Sequence, residues 1–257
     1  MAENKTRYIC FLDVLGFSEI INSGGFEKFN KYIKIINRTI ESIDINQQYI
    51  VFSDSIIIFS EDDNEQSFIN LASIVSVISY EFLVNENLAL RGSIAHGLVE
   101  LLQEKTKTTL AGKPIIEAYK LEQSQNWIGV ILARSVIARD PSLALKIFAI
   151  NPANFSNTEC VLDNLQLFIS LYRYPRIPFK NDDVYEGLAI IPHKLSSTHP
   201  EHLVEDLAEY STKLSNLVLL GREPSVQKKY QNTLDYIRLV KGVMPEISRS
   251  PYWRNRV

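Results

Sequence analysis

Tyr8-Ile-Cys-Phe-Leu-Asp-Val-Leu-Gly-Phe-Ser18 is the stretch whose reading decides the fold. Tyr8 to Leu12 is a continuous apolar run, which suits a strand buried on both faces better than one with a wet face. The run ends at Asp13. Gly16 is the soft point of a loop from Val14 to Ser18, and the chain from Glu19 to about Ser42 has helical spacing, interrupted at Ser23-Gly24-Gly25. A strand therefore delivers an aspartate to a helix start.

Working outward, Tyr49-Ile-Val-Phe52 and Ile56-Ile-Ile-Phe59 are β-branched and aromatic runs separated by Ser53-Asp54-Ser55, the spacing of a tight hairpin with Asp54 at its tip. Phe68 to Leu83 has helical spacing. Leu88 to Ile94 returns to strand character, which His96-Gly97 is expected to break, with Leu98 to Leu102 as an extension. Gln103 to Thr109 reads as a polar loop, Pro114 to Gln125 as a helix opened by proline, and Trp127 to Leu132 as a strand. The order βα, hairpin, α, β, β, α, β defines an α/β (α+β) sandwich, a mixed sheet with helices on one side. Beyond Asp140 the pattern weakens. Leu165 to Tyr172 and Leu188 to Ile191 are candidate strands, and His202 to Leu220 and Val226 to Val243 are amphipathic helices. Residues 1–195 are assigned to one domain, with residues 196–257 as a C-terminal helical extension packed on it.

The chain of 257 residues is long enough for a sizeable core, and 46% hydrophobic with 22% charged residues is ordinary for a globular protein. A net charge of −3 offers no cationic track for a polynucleotide, so no nucleic-acid partner is expected and any anionic ligand must be held locally. Cys10 and Cys160 are far apart, and Cys10 sits in an apolar run, so no disulfide framework is expected. Without a signal-type apolar region near the N-terminus or a membrane-length stretch, the expectation is a cytoplasmic protein with no membrane partner.

The chemistry rests on Asp13 and Asp54. A carboxylate beside a sheet is costly unless it is hydrogen-bonded, paired or bound to a cation, and two such groups on adjacent strands favour a hard divalent metal. Taken singly, each is also what a turn former or helix cap looks like. His96, beside a strand-ending glycine, reads as structural and stays outside the site.

Phe11-Leu-Asp-Val-Leu-Gly-Phe-Ser18 resembles the first metal-binding motif of the class III nucleotidyl cyclases. Phe52-Ser-Asp-Ser-Ile56 resembles their second, with Ser53 in place of a glycine. Arg91-Gly-Ser-Ile-Ala-His-Gly97 and Gly112-Lys-Pro-Ile-Ile-Glu-Ala-Tyr-Lys-Leu121 resemble the strand and helix motifs that follow. The four lie in order over about residues 7 to 135. The resemblance implies two metal ions per site, Mn²⁺ or Mg²⁺, held by Asp13, Asp54 and the carbonyl of Val14. It implies phosphate binding by the loop that includes Phe17, and a triphosphate clamp at Lys180. Arg91 is a further candidate for substrate binding, and a shared site implies a homodimer in which Lys120 reaches into the partner's pocket.

Departures from the family pattern point to the base. The purine-reading positions fall on Ile50 and Thr109, and the asparagine and arginine of the helix motif fall on Ile116 and Lys120. Such departures are similar to those of the Pycsar pyrimidine cyclases of bacterial anti-phage defence, whose cyclic UMP or cyclic CMP activates a separate effector protein. This implies a uridylate cyclase acting on UTP, with Tyr49 narrowing the base pocket and Thr109 lining it. A cytidylate cyclase, a palm-type nucleotidyl transferase and an inactive cyclase-like nucleotide sensor stay open as alternatives. Tyr49 as a packing residue on a half-buried strand, and Lys180 and Arg91 as solvated or structural cations, stay open too.

Overall fold

Strand β1 (Ala2–Leu15) runs through the middle of an eight-stranded sheet in the computed structural model, which describes residues 2–44, 46–104, 107–141, 171–197, 200–220 and 223–248. Its neighbours are β3 (Ser55–Phe59) and β4 (Ala89–Glu104), both antiparallel to it. The sheet order is β2-β3-β1-β4-β6-β8-β7. β2 is Gln48–Phe52, β6 Gly129–Leu132, β7 Leu171–Pro178 and β8 Val184–Ile190, while β5 (Lys107–Gly112) pairs with the far half of β4. Among the described residues the one parallel neighbour pair is β4 with β6, which is why a helical crossover lies between them.

The helices are α1 (Phe17–Ile43), α2 (Glu65–Glu86), α3 (Lys113–Ser124), α4 (Arg134–Arg139), α5 (Pro200–Leu220) and α6 (Pro224–Ser248). Alternate residues of a strand face opposite sides. On β1, Tyr8, Cys10, Leu12 and Val14 enter the core built with α1 and α2. Ile9 and Phe11 enter smaller clusters on the other side, beside Ile115, Ala118 and Leu121 of α3. Helices therefore cover both faces, a correction to the expectation of one, and Asp13 falls on the α3 face. α5 and α6 pack against α2, β6, β7 and β8 in a shared cluster around Trp127, Tyr210 and Tyr236.

Several boundaries differ from the sequence reading. α1 is continuous through Gly24 and Gly25. β4 does not stop at His96-Gly97, and Lys107 onward forms β5 instead of continuing the polar loop, because β4 offers a complete ladder from Val99 to Glu104. The expected strand from Leu165 lies outside the described residues through residue 170, as does Cys160, while Cys10 is a buried free thiol. α2 is long and apolar enough to cross a bilayer by length and composition, but 83% of its apolar window is buried inside the fold, the property of a core helix.

One glycine fixes the central register. A Cβ on Gly92 would lie 2.4 Å from the Phe11 carbonyl oxygen and 2.6 Å from Leu12 Cδ2. Gly92→Ala is expected to cost about 1–3 kcal/mol, because backbone must move to admit it. Urea denaturation measures the loss, and an unchanged midpoint would contradict the β1–β4 register.

Candidate active site

The two aspartates meet at one end of the sheet. Asp13 lies opposite Ser55 on β3 and Arg91 on β4. Ser53 and Asp54 are the two turn residues between β2 and β3, Ser53 taking a left-handed φ of 57°, a conformation that glycine adopts more cheaply. The Val14 N–H donates to the Asp54 carbonyl at 2.9 Å and binds the hairpin tip to β1. In an extended strand the N–H and C=O of one residue point to the same edge, so the Val14 carbonyl faces the tip as well. Strand β1 reaches Leu15, and Gly16 at φ 78° makes the whole connection to α1, so the expected loop from Val14 to Ser18 is a single turn residue.

The two carboxylates act on each other electrostatically. Burial raises the Asp13 pKa above the usual carboxylate range, Arg91 opposes that rise, and the negative charge of Asp54 adds to it, with Lys229 and Lys180 lowering it. The Asp13 side chain is still 19% exposed, open to a ligand. Two hard carboxylates that repel each other, beside a strand carbonyl, fit Mg²⁺ or Mn²⁺, which take one or two protein carboxylates and complete their shell with substrate phosphates and water. Among the described residues there is no group of three or more His, Cys, Asp or Glu that could hold a metal ion.

Behind Asp13 stands a pair that the sequence did not reveal. Arg91 is 4% exposed and Glu122 fully buried. The Arg91 guanidinium is ion-paired with Glu122, Nε and Nη2 both reaching Glu122 Oε1, places Nη2 3.6 Å from Asp13 Oδ2, and donates from Nη1 to the Gln125 carbonyl at 3.3 Å. Burial raises the Glu122 pKa, and Arg91 works against that. The Gln125 amide donates to the Gly92 carbonyl at 2.8 Å and accepts from the Trp127 indole at 2.6 Å, so the end of α3 is fastened to β4. Glu122 follows buried Ala118 by four residues, and that spacing was the only sequence signal that it faces inward.

Of the remaining expected site residues only Lys180 lies within electrostatic reach of Asp13 in the same chain. Lys180, in a 3₁₀ turn after β7, is exposed, and its charge acts on Asp13. Phe17, the first residue of α1, turns its ring toward Phe29 and Tyr32. Tyr49 pairs with Ile58 on the α1 side of the sheet and donates to Asn37 Oδ1 at 2.7 Å, whereas Ile50 faces the Asp13 side. Strand alternation thus separates Tyr49 from the face that carries Asp13. Thr109 is exposed and pairs with Leu102, eleven residues along β4 from Arg91, roughly 36 Å of extended strand. Lys120 is exposed on α3. One chain brings together Asp13, Val14, Asp54, Arg91 and Lys180, but not Tyr49, Thr109 or Lys120.

No protein-family model and no curated protein matches the sequence. Solved structures do match in shape. The adenylyl cyclase CyaB from P. aeruginosa aligns at a TM-score of 0.52 and 12% identity, covering 77% of this chain and 99% of that one. Two others, at a TM-score of 0.47 and 10% identity each, add nothing to the assignment. They are an adenylate cyclase from Trypanosoma brucei, covering 76% of this chain and 91% of that one, and the catalytic core of a rhodopsin-guanylyl cyclase, covering 74% and 97%. The chain has the class III cyclase fold, with a mixed sheet and helices packed on it.

Proposed function

We propose that the chain is a nucleotidyl cyclase that closes a ribonucleoside triphosphate, UTP by preference, into a 3′,5′-cyclic monophosphate and diphosphate. The observation that carries this reading is the juxtaposition of Asp13 and Asp54 at the open end of a class III cyclase fold, with the charge of Asp54 acting on Asp13. Divalent ions bound there, Mg²⁺ or Mn²⁺, supply Lewis-acid activation of the 3′-hydroxyl and neutralise the departing charge. Asp13 and Asp54 hold that position, and the Val14 carbonyl edge faces it. The N–H groups of the first turn of α1 have no partners within the helix and carry its positive end, which suits phosphate oxygens. The ribose 3′-oxygen gives up its proton to water and bonds to the α-phosphorus, while the bond from that phosphorus to the oxygen bridging to the β-phosphate breaks and diphosphate leaves.

Ile50 supports the exclusion of purines. It lies on the Asp13 face, packed beside Ile57, Leu110 and Ile115, and offers no hydrogen bond where the family places a charged purine reader. The preference for uracil over cytosine rests on resemblance to the Pycsar uridylate cyclases, as does a role in anti-phage defence through a separate effector.

The site is completed by a second copy. Phe52, Ile116 and Tyr119 are 79%, 56% and 48% exposed, unusual for large apolar groups beside a catalytic face. They flank the Asp13 side of the sheet, and Tyr119 stacks edge-on with Phe11 at 5.4 Å. A two-fold pairing through this face brings Lys120 of one copy toward Asp13 of the other. Mixing inactive Asp54→Ala with inactive Lys120→Ala is expected to recover about a quarter of wild-type turnover, since one of the two sites in each mixed dimer is intact and half of random dimers are mixed. No recovery when both variants fold and pair would contradict a shared cyclase site.

A further inference from the structure

The C-terminal helix α6 places Lys229 within electrostatic reach of Asp13, Arg91 and Lys180. Lys229 lies three and four residues before Asn232 and Thr233, so the three share one side of the helix. That side is docked on the chain between α3 and β6. Asn232 Nδ2 donates to the Asn126 carbonyl at 2.6 Å. Thr233 Oγ1 accepts the Ile128 N–H at 2.8 Å and lies 2.9 Å from the Ile128 carbonyl. Arg91 is anchored to the same segment through the Gln125 carbonyl, and the Asn126 N–H donates to the Pro178 carbonyl at 2.8 Å, two residues before Lys180. Four consecutive residues, Gln125 to Ile128, thereby hold α6, Arg91 and the Lys180 turn in fixed relation.

Lys229 is half-buried, and its ammonium has no hydrogen-bond or ion-pair partner among the described residues. Desolvation first, then repulsion from Arg91 and Lys180, depresses its pKa. Arg91 is committed to Glu122 and Asp13. Neither lysine has a carboxylate within ion-pair distance among the described residues, so their mutual repulsion costs free energy until a strongly charged anion arrives.

We infer that Lys229 joins Lys180 in clamping the β- and γ-phosphates of the nucleoside triphosphate, so the helical extension completes the phosphate subsite of the chain that supplies Asp13. This rests on the cyclase reading only for the identity of the ligand; the chemistry demanded is a polyphosphate. A cation of this kind does not discriminate bases, so its loss is felt equally by every triphosphate accepted.

The test titrates magnesium tripolyphosphate into the full-length protein by calorimetry and measures KM and kcat with UTP, for wild type, Lys229→Met, Lys229→Arg and a Lys213→Met control on α5. Methionine keeps most of the stem and removes the charge, so the unfolding midpoint is expected not to fall. Tripolyphosphate affinity and KM are expected to worsen about ten- to hundredfold in Lys229→Met, the range for a lost charge-assisted contact. kcat should change less, Lys229→Arg should recover most of the loss, and Lys213→Met should match wild type. Equal tripolyphosphate affinity in Lys229→Met and wild type overturns the clamp, even if the wild type cyclises UTP. A wild type that binds tripolyphosphate through Lys229 but cyclises no nucleotide upholds the clamp and overturns the cyclase reading. Acylation of Lys229 in the wild type, mapped by peptide mass, gives a readout independent of any variant: tripolyphosphate is expected to protect it, and equal labelling with and without tripolyphosphate counts against the clamp.

Discussion

Asp54→Ala is expected to lower cyclase turnover by about a thousandfold or more, roughly 4 kcal/mol of transition-state stabilisation, with little change in stability. Asp54 sits in a two-residue turn, and its structural contribution, the carbonyl that accepts from Val14, belongs to the backbone and survives the substitution. Asp13→Ala should behave alike. Its carboxylate is disfavoured first by burial and further by Asp54, so its removal relieves two costs. Arg91 is not orphaned, since Glu122 remains its main partner. Circular dichroism and the urea midpoint establish folding, and product mass establishes turnover. A folded variant with more than a tenth of wild-type activity would remove the metal-holding role from that aspartate.

Glu122→Ala is expected to be the most destabilising single change near the site, at about 3–5 kcal/mol. The guanidinium of Arg91 would stay buried with Asp13 at 3.6 Å and one carbonyl at 3.3 Å as its remaining partners, too little for an ion withdrawn from water. Replacing both members, Arg91→Met with Glu122→Met, should cost far less than Glu122→Ala alone, because no charge is left unpaired. Activity should fall in both cases, since Arg91 also sets the field at Asp13. Urea unfolding of the three proteins decides it, and a Glu122→Ala loss below 1 kcal/mol would mean that water reaches the pair.

Local patterns made the centre of the fold legible. Tyr8 to Leu12 and the two runs flanking Asp54 have strand composition and tight-turn spacing, so β1, β2 and β3 followed from a few consecutive residues, whereas the adjacency of β1 and β3 that brings the aspartates together was expected only from the family resemblance. Features that depend on distant partners did not. β5 is a polar segment whose strand character comes from pairing with β4. α1 crosses Gly24 and Gly25 despite their poor helix propensity, because tertiary packing outweighs about 1 kcal/mol per glycine.

The site divides in the same way. Glu122 reads as one more charge on an amphipathic helix until Arg91, 31 residues earlier, is seen against it. Lys229 joins the site through bonds that span more than a hundred residues, from Thr233 to Ile128 and from Asn232 to Asn126. Tyr49 shows the opposite failure. The resemblance to the pyrimidine cyclases placed it in the base pocket, yet adjacent residues of a strand face opposite sides, Ile50 shares the face of Asp13, and the Tyr49 hydroxyl is engaged by Asn37.

The most direct test of the cyclase assignment is to incubate the purified chain separately with ATP, GTP, CTP and UTP in Mn²⁺ or Mg²⁺ and to resolve the products by mass. The expected result is diphosphate and a 3′,5′-cyclic monophosphate, with UTP consumed fastest and both purines poorly. A linear dinucleotide product, or no turnover of any of the four by a folded dimer, would contradict it.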